Sequence, residues 1–154
     1  MTELDQSEFS ELRLKYLDVH ERCRHVIHQT FEHDEDNCVS EVYHYIYDIT
    51  TWYNVLGGRL ETILIDKAIR EYRSSLFSLV QGHYRNAFMA LRAYFEFTLN
   101  AIYLSCYPKK LQDWKEGNYR MSFGEAVDNK DGILSESFAK TFNKPLEEKD
   151  NNYR

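Results

Sequence analysis

Residues 84–107 read YRNAFMALRAYFEFTLNAIYLSCY, and the fold turns on this stretch. It is apolar almost all round, as a helix at the centre of a bundle is. Set into it are Arg85, Arg92, Glu96 and Asn100. At about 100° per residue these four fall within roughly 80° of one another, forming one narrow polar stripe. A buried helix that carries two guanidiniums and a carboxylate must give them partners, because unpaired buried charge is strongly unfavourable. The stripe is therefore either an internal salt-bridge network or the wall of a polar cleft. The second reading makes it a site.

Working outward, the preceding segment 59–81 predicts a helix whose apolar face is Ile65, Ile69, Tyr72, Leu76 and Leu79. Gly82 stands where a left-handed helix cap belongs, so the two helices form a tight antiparallel hairpin. Upstream, residues 7–31 predict a helix with Phe9, Leu12, Tyr16, Val19, Cys23, Val26 and Ile27 at three- and four-residue steps. A polar loop at 33–37 leads to a second helix over 40–56, rich enough in β-branched and aromatic residues that a strand over part of it is an alternative. Gly57-Gly58 ends it. Downstream, Pro108 stops the stripe helix, a short helix covers 109–115, and Ser122 with Glu125 has the spacing of a capping box. A further helical piece covers 133–142. The expected organisation is one all-α domain over 1–154, with an N-terminal helix and loop (1–37), core helices (38–107) and short C-terminal helices (108–154).

Composition agrees with that class. The chain has 154 residues, 15% of them aromatic, and only six Gly and two Pro, which favours long helices around a ring-rich core. Three cysteines without framework spacing read as reduced thiols. The acidic start MTELDQSEFSEL lacks a signal segment, and no apolar run reaches the roughly 18 residues that span a membrane. A soluble, cytoplasmic protein without a membrane partner is expected. The net charge of −6 argues against a general nucleic-acid coat protein, though it leaves room for a local basic cleft.

Within the stripe, Arg92 and Glu96 are four apart and can pair on the helix itself. Arg85 has no intrahelical acid within reach, and Asp66, Arg70 and Arg73 of the preceding helix are expected to face it across the hairpin. As a site, the candidates are Arg85, Arg92 and Glu96 for catalysis and Asn100, Arg73 and Arg70 for ligand binding, because guanidinium forks suit phosphate oxygens as well as carboxylates. The run Cys23, His25, His28, His33, Cys38 matches no zinc module, and no metal is expected. Arg13/His20 and Arg22/His28 have Arg-x4–6-His spacing at about the frequency chance provides. His83 reads as a turn residue. No phosphate loop, nucleophile elbow or hydrolytic carboxylate pair is present, and no cofactor is expected.

The stretch 82–104, GHYRNAFMALRAYFEFTLNAIYL, followed by Pro108, Trp114 and Gly117, resembles the central hairpin of HEPN-like proteins of bacterial defence and toxin systems. The matching residues are Tyr84, Arg85, Ala87, Leu91, Arg92 and Glu96, and the likeness covers about residues 65–123. It implies a HEPN-like helical bundle of four to five helices with a central antiparallel helix hairpin, commonly a homodimer. It also implies metal-independent endoribonuclease activity in anti-phage defence or toxin–antitoxin pairs, with RNA and an antitoxin or defence-complex subunit as partners. In that reading Arg85 and Arg92 hold phosphate, Glu96 pins Arg92, and a ribose 2′-hydroxyl attacks in line. The family's catalytic signature, Arg-x4–6-His on a late helix, is missing, since no histidine follows His83. Either the chain is a non-catalytic helical interaction or dimerisation module, or it is part of a longer protein in which Arg154 is the arginine of the motif. Whether it is an enzyme turns on that histidine. A nucleotide or small-ligand sensor using the same cleft is a further alternative.

Overall fold

Two helices joined at Gly82 carry the rest of the chain: α3 (Thr62–Val80) and α4 (Tyr84–Ser105). The structure, a computed structural model, describes residues 6–142. Around the hairpin lie α1 (Gln6–Glu32), α2 (Cys38–Val55), α5 (Pro108–Lys115), the short α6 (Phe123–Ala126) and helical residues 136–142. No strand occurs among the described residues, so the all-α class is confirmed. None of the helices is long and apolar enough to cross a membrane.

The hairpin turn forms as its sequence predicts. Gly82 has φ +78°, His83 N–H donates to the Ser78 carbonyl at 2.8 Å, and Gly82 N–H donates to that of Leu79 at 2.9 Å. This 6→1 and 5→2 pair is a Schellman cap, and it satisfies carbonyls that the end of α3 leaves open. The helices then meet through small residues, Ala68 and Ser75 on α3 and Ala87, Ala90 and Ala101 on α4, all buried. Small side chains let the axes approach closely, and the Ser75 hydroxyl donates to the Ala87 carbonyl at 2.9 Å. The buried face of α3 is thus rotated from the predicted one: Leu64, Ala68 and Ser75 join Ile69 and Tyr72, while Leu79 is exposed.

Two apolar clusters flank this seam. Ile46 of α2 joins Ala68, Tyr72 and Tyr94, with Ile49, Leu76 and Leu91 packed against them. Towards the other end, Leu64, Ala101, Tyr103, Leu104, Leu111, Ala126 and Phe138 form the larger core. Segment 38–55 is helix throughout, despite its β-branched content. Burial of Ile46 against α3 overrides the propensity, and the Thr50 and Thr51 hydroxyls donate back to carbonyls one turn earlier at 2.7 and 2.9 Å.

α1 departs most from expectation. Its 27 residues span about 40 Å, but only the C-terminal half is seated. There Val26 lies against the Gly82 turn and Cys23 Sγ is 3.5 Å from His83 Nε2. Phe9, Leu12, Tyr16 and Val19, predicted to continue the buried face, are exposed.

Candidate functional site

The stripe on α4 is not buried. The Arg92 side chain is 80% exposed and Glu96 38% exposed, and Arg85 is exposed. The sequence-based premise of a helix buried all round fails because α1 and α2 do not cover the outer face of α4. The side chains expected to bury that face, Tyr84, Phe88, Met89 and Phe95, are themselves exposed.

The local pairing does form. Arg92 Nε donates to Glu96 Oε1 at 2.8 Å, an i,i+4 contact on the helix surface. Asn100 alone of the four is buried, and its Nδ2 donates to the Glu96 carbonyl at 2.7 Å, so it serves the helix backbone. Arg85 has no ion-pair partner among the described residues. The expected facing across the hairpin does not occur: Arg70 pairs with Asp66 on its own helix at 2.9 Å. Arg73 lines a groove with Phe31, Tyr43, Leu76 and Phe77, whereas Arg92 and Glu96 line another with Phe88, Leu91, Phe95, Leu99 and Phe123. The six candidate residues therefore do not converge on one cavity. The remaining candidate, Arg154, lies outside the described residues.

The α4 face around Arg92 is an apolar groove of about 500 Å³ with one ion pair on its rim. Phe88 is 70% exposed, and Phe95 and Phe123 are also open to solvent. Phe123 arrives from α6, whose start is fixed by the Ser122 Oγ accepting from Glu125 N–H at 3.4 Å. Half of the predicted capping box is present. The Glu125 carboxylate, which a full box turns back to the Ser122 N–H, goes elsewhere.

Its destination is a cluster that the sequence did not announce. Glu125 accepts from Lys110 Nζ at 2.5 Å, from the Tyr119 hydroxyl at 2.5 Å and from the Tyr103 hydroxyl at 3.2 Å. Lys110 also donates to the Tyr103 hydroxyl at 2.9 Å and lies 5.1 Å from the Tyr107 ring centre. Lys110 is an equal 5.1 Å from the Tyr103 ring centre. With the hydroxyl only 2.9 Å away, that approach is to the ring's edge and is a hydrogen bond to the hydroxyl. The hydrogen bonds that Lys110 donates to Glu125 and Tyr103 raise its ammonium above the ordinary pKa. Those from Lys110 and Tyr119 hold the Glu125 carboxyl below its own. Burial, then the Glu125 contact, pushes the Tyr119 phenol up to about 12. These groups come from α4, α5 and the 118–126 segment, with separations of 7, 15 and 6 residues; the 7-residue step equals two helical turns but crosses the break between α4 and α5, so no single helix connects them. Glu125, marked by its spacing from Ser122, is the one member the sequence singles out.

The largely apolar recess between α2 and α4, about 410 Å³, contains Tyr45, Trp52, Thr98, Ile102 and Phe142. At its edge the Tyr45 and Tyr94 hydroxyls are 3.0 Å apart, and burial followed by that hydrogen bond raises the pKa of Tyr94. The buried Glu61 beside it is ion-paired with Arg59. Of the cysteine and histidine run, Cys23 is half-buried while His25, His28, His33 and Cys38 are exposed, and no group of metal-ligating side chains converges among the described residues. Comparison with family models, with curated proteins and with solved structures gives no match for this chain.

Proposed function

We propose that the protein is a non-catalytic helical interaction module, associating through the outer face of α4. The observation that carries this reading is the exposure of Phe88, Met89 and Phe95 beside the Arg92–Glu96 pair. Scattered exposed apolar residues are ordinary, but Phe88, Phe95 and Phe123 line one groove with the Arg92–Glu96 pair beside them, and an aromatic patch rimmed by charge has the make-up of a protein contact surface. Catalysis by the same residues is less well served: the guanidiniums of Arg85, Arg92 and Arg73 do not converge, and Arg92 is engaged by a carboxylate one turn away.

The alternative, a HEPN-like ribonuclease of a defence or toxin system, makes a contrary prediction about one variant. Purified full-length chain is incubated with mixed RNA in EDTA, alongside Arg92→Ala. The interaction reading expects no cleavage by either protein. EDTA-resistant cleavage that Arg92→Ala abolishes, with the helical circular-dichroism signal unchanged, overturns it.

A further inference from the structure

From the recess between α2 and α4 we infer a binding site for a medium-chain fatty acid, a single-chain carboxylate of about ten to twelve carbons with its head at Arg59. The site lies on a different side of α4 from the association face proposed above and does not depend on it.

Two matched rows of side chains make the walls. Tyr45, Ile49, Trp52 and Leu56 of α2 follow one another at steps of four, three and four residues. Tyr94, Thr98, Ala101 and Ser105 of α4 repeat the same steps on the facing wall. Such steps keep each row on one face of its helix, and the rise from first to last is about 16 Å. Both rows start at the same end, where the Tyr45 and Tyr94 hydroxyls are 3.0 Å apart and close the gap between the helices. Ile65 and Ala68 of α3 form the floor, and the small Ala68 and Ala101 leave depth there, about 410 Å³ in all. That volume falls within the range of small-molecule sites. An extended covalent chain advances a little over ~1 Å per bond, so a groove of this length, closed at one end, takes about twelve carbons and no more.

The middle of the groove suits methylenes rather than a polar body. The Thr98 hydroxyl donates to the Tyr94 carbonyl at 2.9 Å, and that of Ser105 to the Ile102 carbonyl at 2.6 Å. Both wall hydroxyls have thus spent their one proton on the helix and offer a ligand no donor. Trp52 and Ile102 stand open to water in the walls, and a bound hydrocarbon chain covers them.

The open end carries one charge pair, and its asymmetry selects the head group. Arg59 and Glu61 lie there, close enough to Cys106 at the end of α4 for their charges to act on its thiol. The Glu61 side chain is only 9% exposed and is held by Arg59 Nε, whereas the Arg59 side chain is 56% exposed. An arriving cation must reach a buried carboxylate that is already paired. An arriving anion meets the guanidinium first, and its terminal nitrogens bond to no further residue among the described ones. They present the fork that suits a carboxylate.

The test is isothermal titration calorimetry of the full chain with octanoate, decanoate, dodecanoate and tetradecanoate, each below its micelle concentration. Affinity should rise about three- to fourfold per added methylene as far as dodecanoate and then stop. The dissociation constant for dodecanoate should be on the order of 10–100 µM. Dodecyltrimethylammonium, with the same tail and the opposite head, should bind at least about tenfold more weakly. Ile102→Asp sets an acid on the groove wall. The double variant Arg59→Gln/Glu61→Gln removes the guanidinium without stranding a buried glutamate. Each should weaken dodecanoate binding by at least about tenfold with the circular-dichroism signal unchanged. Absence of dodecanoate binding at about 1 mM overturns the site. Affinity that keeps rising to tetradecanoate is adsorption to exposed apolar surface and overturns it too. Dodecyltrimethylammonium binding as tightly as dodecanoate, or a folded variant of either kind that binds dodecanoate within about twofold of wild type, does the same. If a variant fails to fold, the chain-length and head-group series on wild type decide.

Discussion

The molecule contains two cation–glutamate pairs of similar length that do different things. Arg92–Glu96 spans 2.8 Å along one helix face, and Lys110–Glu125 spans 2.5 Å between α5 and the start of α6. The first joins residues that the helix already holds one turn apart, so it adds little that the backbone has not fixed. The second joins two elements and is supported by hydroxyls from Tyr103 and Tyr119. Its side chains are each a little over one-third exposed. The lesson is that contact distance says little about the contribution of an ion pair; the contribution depends on which elements it ties and how many further hydrogen bonds it completes.

The largest expected effect comes from removing the anchor of the nonlocal pair. Glu125→Ala takes the acceptor from Lys110, Tyr103 and Tyr119 together and should lower stability by about 2–3 kcal/mol in urea unfolding. A loss below about 0.5 kcal/mol makes the two pairs equivalent.

An intermediate effect is expected with pH. The Glu125 carboxyl is held below its ordinary pKa by Lys110 and then Tyr119. A depressed folded-state pKa contributes stability that is full above the unfolded value of about 4.3 and disappears as pH falls through the folded value. Wild type should therefore lose this contribution below about pH 4.3, and Glu125→Gln should show a shallower acid limb. Identical limbs mean that other carboxylates set acid stability. Lys110, raised by the same contacts, contributes with the opposite sign: its share is present below about pH 10.4 and is lost as pH rises through the folded-state value.

The smallest effect belongs to the surface pair. A buried stripe makes Arg92→Ala an expensive change, about 3–5 kcal/mol, because it leaves a glutamate uncompensated. With Glu96 38% exposed, water takes over that role, and the loss should stay within about 0.5 kcal/mol. Thermal melting of monomeric protein at low concentration checks this, since association adds its own stability.

Legibility in the sequence followed the range of the interactions involved. The helix pattern, the Gly82 turn, the Pro108 break and the Ser122 cap rest on contacts within a few residues, and each appears close to its expected place. The Arg92–Glu96 pair has the same local origin. Burial was less readable. Phe9, Leu12, Tyr16 and Val19 have the spacing of a core face, yet nothing among the described residues covers them. The spacing of apolar residues states which side of a helix avoids water; it does not state whether this chain or another supplies the cover. Ala68, Ser75, Ala87 and Ala90 carry no obvious hydrophobic signal, but they set the close approach of α3 and α4. The cluster around Lys110 was hidden because its members sit on three separate segments.

What the sequence determined by itself is an all-α chain with a tight central hairpin, because hydrophobic period and end signals act through local geometry. What only the tertiary structure decided is the environment of each charge. Glu96 meets solvent and Glu125 meets a lysine and two tyrosines, and the local sequence predicted only the near contact of each, Arg92 for Glu96 and Ser122 for Glu125. The electrostatics of a carboxylate depend on the groups and water within a few ångströms, and those neighbours are chosen by how the helices pack.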